Sequence, residues 1–127
     1  MFKSIMPNLM VENVNETVDF YVNKLHFNLV VSMPIGEEKF EFAIVAKDEV
    51  TISFQLKESL VSEYPELEVD IIKPSLSLYI VDDNLENTYN EIKNQVKIIK
   101  KPHLTPYGIK EFALLDLNNN VLTISQQ

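Results

Sequence analysis

The sequence predicts an α+β fold of two βαβββ units, each a curled mixed sheet with a helix on its outer face. Three observations predict it. Strand-like segments recur: Glu41-Phe42-Ala43-Ile44-Val45 returns as Glu111-Phe112-Ala113-Leu114-Leu115 (111 − 41 = 70). Downstream, Val50-Thr51-Ile52-Ser53 returns as Leu122-Thr123-Ile124-Ser125 (123 − 51 = 72). Helical spacing recurs too: Val14, Val18, Tyr21 and Leu25 lie on one helix face, and so do Leu85, Tyr89 and Ile92 (85 − 14 = 71).

The elements follow in order. An extended run over 4–11 ends in Val11, and Glu12-Asn13 then offers an acidic and amide entry to a helix over 13–25. Strands are expected over 27–33, 38–46 and 50–56. Glu58 to Tyr64 reads as a short connecting helix and Pro65 to Ile72 as a surface crossover. The second unit repeats the order: a strand over 74–81, a helix over 84–94 entered through Asp82-Asp83-Asn84, then strands over 96–101, 109–116 and 120–126. The chain is expected to form a single domain over 1–127. Unit one covers about 1–57, the connector about 58–72 and unit two about 73–127.

Composition narrows the function classes. The chain has no Cys, which fits a reducing cytosol, and a cytoplasmic location is expected. Its N-terminus lacks the apolar stretch of a signal peptide, and no apolar run approaches the ~20 residues that span a bilayer, so no membrane partner is expected. A formal charge of −8 with no Lys/Arg stripe argues against nucleic acid and leaves neutral or cationic partners. The same charge also serves simple solubility.

Side chains alternate across a strand, so faces can be assigned. Ile5, Pro7, Leu9 and Val11 oppose Met6, Asn8 and Met10. Ile52, Phe54 and Leu56 oppose Thr51, Ser53 and Gln55, and Leu122 and Ile124 oppose Thr123 and Ser125. The apolar faces should carry the helices. The other faces mix small polar groups with Met, which suits a ligand cavity, although an open wet sheet would give the same pattern.

Val11-Glu12-Asn13-Val14-Asn15-Glu16-Thr17-Val18-Asp19-Phe20-Tyr21 through Leu25-His26-Phe27 resembles the strand–helix entry of the glyoxalase, bleomycin-resistance and extradiol-dioxygenase (vicinal-oxygen-chelate) superfamily. Pro106-Tyr107-Gly108-Ile109-Lys110-Glu111-Phe112 and Asp116-Leu117-Asn118-Asn119-Asn120 resemble its second signature, an aromatic-Gly and Arg-Glu-Phe segment followed by an Asp-Pro-Asp-Gly hairpin. The resemblance covers nearly the whole chain. There are departures: His26 replaces a Gly, Lys110 an Arg, and Asn118-Asn119 an Asp-Gly. Asn tolerates positive φ, so that hairpin should survive.

Enzymes of this superfamily hold a divalent metal with His, Gln or Glu from four strands. The resemblance places those positions at Met6, Thr51, Leu76 and Thr123, with Ser53 as the same-face alternative to Thr51. A thioether, hydroxyls and an alkyl chain do not make such a site. No metal, cofactor or catalytic residue is therefore expected. No Cys–His nucleophile exists, and neither Gly36 nor Gly108 opens a helix as a phosphate loop would.

Ligand contacts are expected from Met6, Asn8 and Met10 on the first strand and from Thr51, Ser53 and Gln55 on the fourth. Leu76, Thr123 and Ser125 would complete the second half. His103 sits in a Pro-rich loop, where binding and merely solvated residues both occur. Tyr107 would stack on a flat or cationic ligand or pack in its hairpin. Glu41 and Glu111, equivalent in the repeat, would acidify the pocket if both face inward. His26 ends a helix and reads as structural. The resemblance thus implies a small-molecule binding protein of the bleomycin-resistance kind, sequestering a hydrophobic or cationic compound. The alternatives are a lyase- or dioxygenase-like enzyme with displaced ligands, or a metal-free acid–base enzyme. A homodimer is expected, as in family members.

Overall fold

In the computed structural model, which describes residues 1–127, the chain divides into the compact units Met1–Lys73 and Pro74–Gln127. The first contains β1 (Asn8–Val11), α1 (Val14–Leu25), β2 (Asn28–Pro34), β3 (Phe40–Lys47), β4 (Val50–Leu56) and α2 (Lys57–Glu63), followed by one 3₁₀ turn at Pro65–Leu67. The second contains β5 (Ser77–Asp82), α3 (Leu85–Ile92), β6 (Lys97–Leu104), β7 (Lys110–Leu115) and β8 (Val121–Gln126). Sheet order is β1-β4-β3-β2 in one unit and β5-β8-β7-β6 in the other, with the first pair parallel and the rest antiparallel. The expected pair of βαβββ units is what forms.

Both main helices start at an asparagine. Asn13 Oδ1 accepts from Glu16 N–H at 3.0 Å, and Asn84 Oδ1 accepts from Asn87 N–H at 3.2 Å, satisfying amides the first helical turn leaves without partners. α1 ends on His26 at φ 63°, in the left-handed region, and Phe27 N–H closes the turn on the Tyr21 carbonyl at 3.0 Å. The helix stop therefore survives the replacement of Gly by His. The β7–β8 hairpin survives its departure as well, with Asn119 at φ 66° and Asp116 Oδ1 accepting from the amides of Asn118 and Asn120.

Each helix covers one sheet face. In unit one, Tyr21 is fully buried, and its ring lies 4.9 Å from that of Phe54 and 5.4 Å from that of Phe27. Val14, Val18 and Leu25 join it over Val45, Ile52 and Phe54. In unit two, Leu85 and Ile92 are buried, and Tyr89 stacks edge-on against Phe112 at 5.2 Å. Burying one Phe or Leu contributes about 1.5–3 kcal/mol.

Several expectations need correction. The first strand begins at Asn8, not at residue 4, and Ile5 is 92% exposed rather than part of the apolar face. His103 and Pro102 belong to strand β6, not to a loop. β6 is an edge strand, and its ladder is irregular between Lys100 and His103, which is where a proline without an N–H is tolerated.

The repeat is also phased differently. Aligning the caps Asn13 and Asn84 (84 − 13 = 71) makes Asn8 equivalent to Tyr79. Asn8 pairs with Ser53, and Tyr79 with Thr123, so Ser53 and Thr123 correspond (123 − 53 = 70). Phe42 pairs with Gln55, and Glu111 with Ser125, so Phe42 corresponds to Glu111 (111 − 42 = 69). The match of Glu41 with Glu111 is thus one residue out of phase. A slip of one residue exchanges faces. Glu111 lies on the face away from α3, whereas Glu41 shares parity with the buried Ala43 and Val45 beneath α1.

Candidate functional site

Each sheet has a second face, away from its helix, and the two faces differ in chemistry. On the unit-one sheet, strand pairing sets Asn8 beside Ser53 and Met10 beside Gln55. Ser53 Oγ donates to Asn8 Oδ1 at 2.9 Å, and Asn8 Nδ2 donates to Gln55 Oε1 at 2.9 Å. Gln55 Nε2 donates onward to Ser59 Oγ of α2 at 2.9 Å and approaches Glu63 Oε1 at 3.5 Å. Ser53 is fully buried and Gln55 nearly so, and this chain of bonds satisfies them, as buried polar groups require. Met10 is half-buried beside Gln55, and Thr51 is exposed at the start of β4.

On the unit-two sheet, one register row crosses all four strands: Val81, Ser125, Glu111 and His103. The adjacent row is Tyr79, Thr123, Ala113 and Lys100. The Tyr79 hydroxyl bridges the rows, 2.7 Å from Ser125 Oγ and 3.2 Å from Glu111 Oε2. One phenolic proton serves one acceptor, so a phenol donating to the carboxylate takes its second bond from the serine hydroxyl. His103 Nδ1 is 2.8 Å from the Lys101 carbonyl oxygen. That oxygen only accepts, so Nδ1 is the nitrogen that donates, and Nε2 is the ring nitrogen left for other partners.

The remaining expected residues fall outside these clusters. Met6 precedes β1 and is exposed. Leu76 precedes β5 and, on the cap alignment, corresponds to Ile5 (76 − 5 = 71), so it has the parity of Leu78 and Ile80 on the helix side. The position equivalent to Met6 is Ser77, one residue on and across the sheet. Tyr107 lies in the Thr105–Gly108 turn, 71% exposed. Tyr79 was not anticipated. The asparagine caps were the signal that would have found it, because they fix the phase of both units.

The fold type raises the question of a metal. The four positions carry Met6, Thr51 or Ser53, Ser77 and Thr123, and no cluster of three or more His, Cys, Asp or Glu forms anywhere in the chain. Thioether and neutral hydroxyl donors do not fit a divalent catalytic ion.

No protein-family model matches the sequence, and no curated protein matches it. Solved structures do match in shape. A glyoxalase/bleomycin resistance protein/dioxygenase superfamily member from Sphaerobacter thermophilus superposes at a TM-score of 0.74 with 18% identity, covering 100% of this chain and 98% of that one. The bleomycin resistance determinant of transposon Tn5 gives 0.71 at 20% identity, over 99% and 98% of the two chains. TioX from Micromonospora sp. ML1 gives 0.76 at 11% identity, over 98% of each. The chain therefore has the glyoxalase/bleomycin-resistance fold. No helix is long and apolar enough to cross a membrane.

Proposed function

We propose that this chain is a small-molecule binding protein that sequesters a hydrophobic or cationic compound without metal chemistry. The observation that carries this reading is the donor set at the four positions where the resembling enzymes hold their metal: a thioether and hydroxyls in place of imidazole and carboxylate. The polar second faces and the net charge of −8 support it. So does the likeness in fold to a bleomycin resistance determinant, which makes antibiotics a sensible first class to screen.

In this reading the two units act as one domain in the cytoplasm, and two chains pair as a homodimer. Support for pairing comes from edge strand β2, which exposes Leu29, Val30, Val31 and Met33. Sedimentation equilibrium tests the dimer: a mass of 14.7 kDa at every concentration contradicts it.

Thermal-shift screening tests the binding function. Cationic or hydrophobic natural products should raise Tm with concentration, since a ligand at 100 Kd adds about 2.7 kcal/mol. Uniform absence of stabilisation across such a panel contradicts the reading. A metal-free acid–base enzyme is the second reading, favoured by Glu111 and His103 sharing one sheet face. Turnover of a screened compound, seen as a new product by mass spectrometry, would decide for it.

A further inference from the structure

We propose that the second face of the unit-two sheet is a recognition site for a protonated amine bearing N–H donors, with Glu111 as counter-ion, Tyr79 as its positioning residue and the His103 ring beside it. The inference rests on the small-molecule binding reading and deepens it by naming the ligand's chemistry and its place within one unit.

The argument begins with what this face offers. Glu111 is half-buried, and its carboxylate is held through Oε2 by the Tyr79 phenol at 3.2 Å, which leaves Oε1 to accept from a ligand. The phenol is itself fixed at 2.7 Å from the fully buried Ser125, so the carboxylate is oriented by a chain anchored in the sheet. His103 stands opposite Glu111 on the neighbouring strand, where paired residues have Cβ atoms about 4.5–5.5 Å apart. Its Nδ1–H is committed to the Lys101 carbonyl, which leaves Nε2 as the ring nitrogen open to a ligand. Glu111 Oε1 and His103 Nε2 are therefore the groups left open on neighbouring strands. A quaternary ammonium would satisfy the charge of Glu111 but supply no N–H. A primary ammonium supplies both, through charge-assisted hydrogen bonds.

The surroundings are consistent with an apolar body on that amine. Ala113, in the row beside Glu111, adds almost no side chain above the sheet, while Tyr79 and Val81 expose apolar surface on β5. Lys110 does not compete, because it is paired with Glu86. Lys100, opposite Ala113 on the edge strand, is the competing cation on the same face.

Isothermal titration with three probes of one shape tests the proposal: 1-naphthylmethylamine, its N,N,N-trimethyl derivative and 1-naphthylmethanol. The amine should bind at least tenfold tighter than either of the others. Glu111→Gln should remove that preference, Tyr79→Phe should reduce it severalfold without changing alcohol affinity, and Lys100→Ala should tighten amine binding. Equal binding of the amine and the trimethyl derivative would overturn the N–H requirement. Equal binding of amine and alcohol, unchanged by Glu111→Gln, would overturn the cation site while leaving small-molecule binding intact. Heats absent for all three probes, in a protein that thermal shift shows to bind other compounds, would also overturn the site. Circular dichroism of each variant checks that it folds.

Discussion

The two units share a topology and a capping residue but use their second sheet faces differently. Unit one closes its face on itself: Ser53, Asn8, Gln55 and Ser59 pass hydrogen bonds from strand to strand and on to α2. Unit two has no helix equivalent to α2, and its face carries a polar row, Ser125, Glu111 and His103, with Tyr79 reaching across from β5. The helix sides differ as well. α1 has 12 residues and buries a ring cluster around Tyr21, whereas α3 has eight and buries Leu85 and Ile92 beside one edge-on ring pair. The difference is one of satisfaction: unit one spends its polar groups on one another, and unit two leaves a carboxylate oxygen and an imidazole nitrogen open on its face.

Mutation can break that contrast. The largest effect should come from the aromatic core. Phe54→Ala should lower the stability measured by urea unfolding by about 3–5 kcal/mol, at the upper end for a fully buried ring. Phe112→Ala, equally buried but in an isolated pair with Tyr89 rather than in the ring cluster around Tyr21, should cost less within that range. A larger loss at Phe112 would reverse the ranking of the two cores.

The polar faces should differ next. Gln55→Leu leaves Asn8 Nδ2 and Ser59 Oγ without their Gln55 bonds and should cost about 1–3 kcal/mol in the same assay. Tyr79→Phe removes a hydroxyl from a half-exposed side chain and should cost no more than about 1.5 kcal/mol. If the second exceeded the first, unit two's row would be a stability network like its counterpart. The smallest effects are expected at the helix starts, where the units agree. Asn13→Ala and Asn84→Ala should each cost about 1 kcal/mol.

The fold was legible because each βαβββ unit writes its elements in periodicities that need no tertiary information. Val14, Val18, Tyr21 and Leu25 mark a helix face however the sheet is phased. The site was less legible because face assignment depends on register, and register depends on counting. The match of Glu41-Phe42-Ala43 with Glu111-Phe112-Ala113 is real as sequence and misleading as structure. The β7–β8 connection between Leu115 and Val121 holds five residues where Ala46 and Thr51 enclose four, and that single residue puts the two glutamates on opposite faces. The same slip placed Leu76 where Ser77 belongs and hid Tyr79. His103 was read as loop because Pro102 argues against a strand, and only the edge position of β6 makes that proline compatible with one.

The central claim is that the ligand-recognising chemistry lies on the unit-two face and the unit-one face is closed. Amide chemical-shift mapping by 15N–1H correlation spectroscopy, with 1-naphthylmethylamine titrated into the protein, tests it most directly. The account predicts the largest shifts at Tyr79, Glu111, Ala113 and Thr123, with Asn8, Ser53 and Gln55 nearly still. Shifts concentrated at Asn8, Ser53 and Gln55 would contradict it.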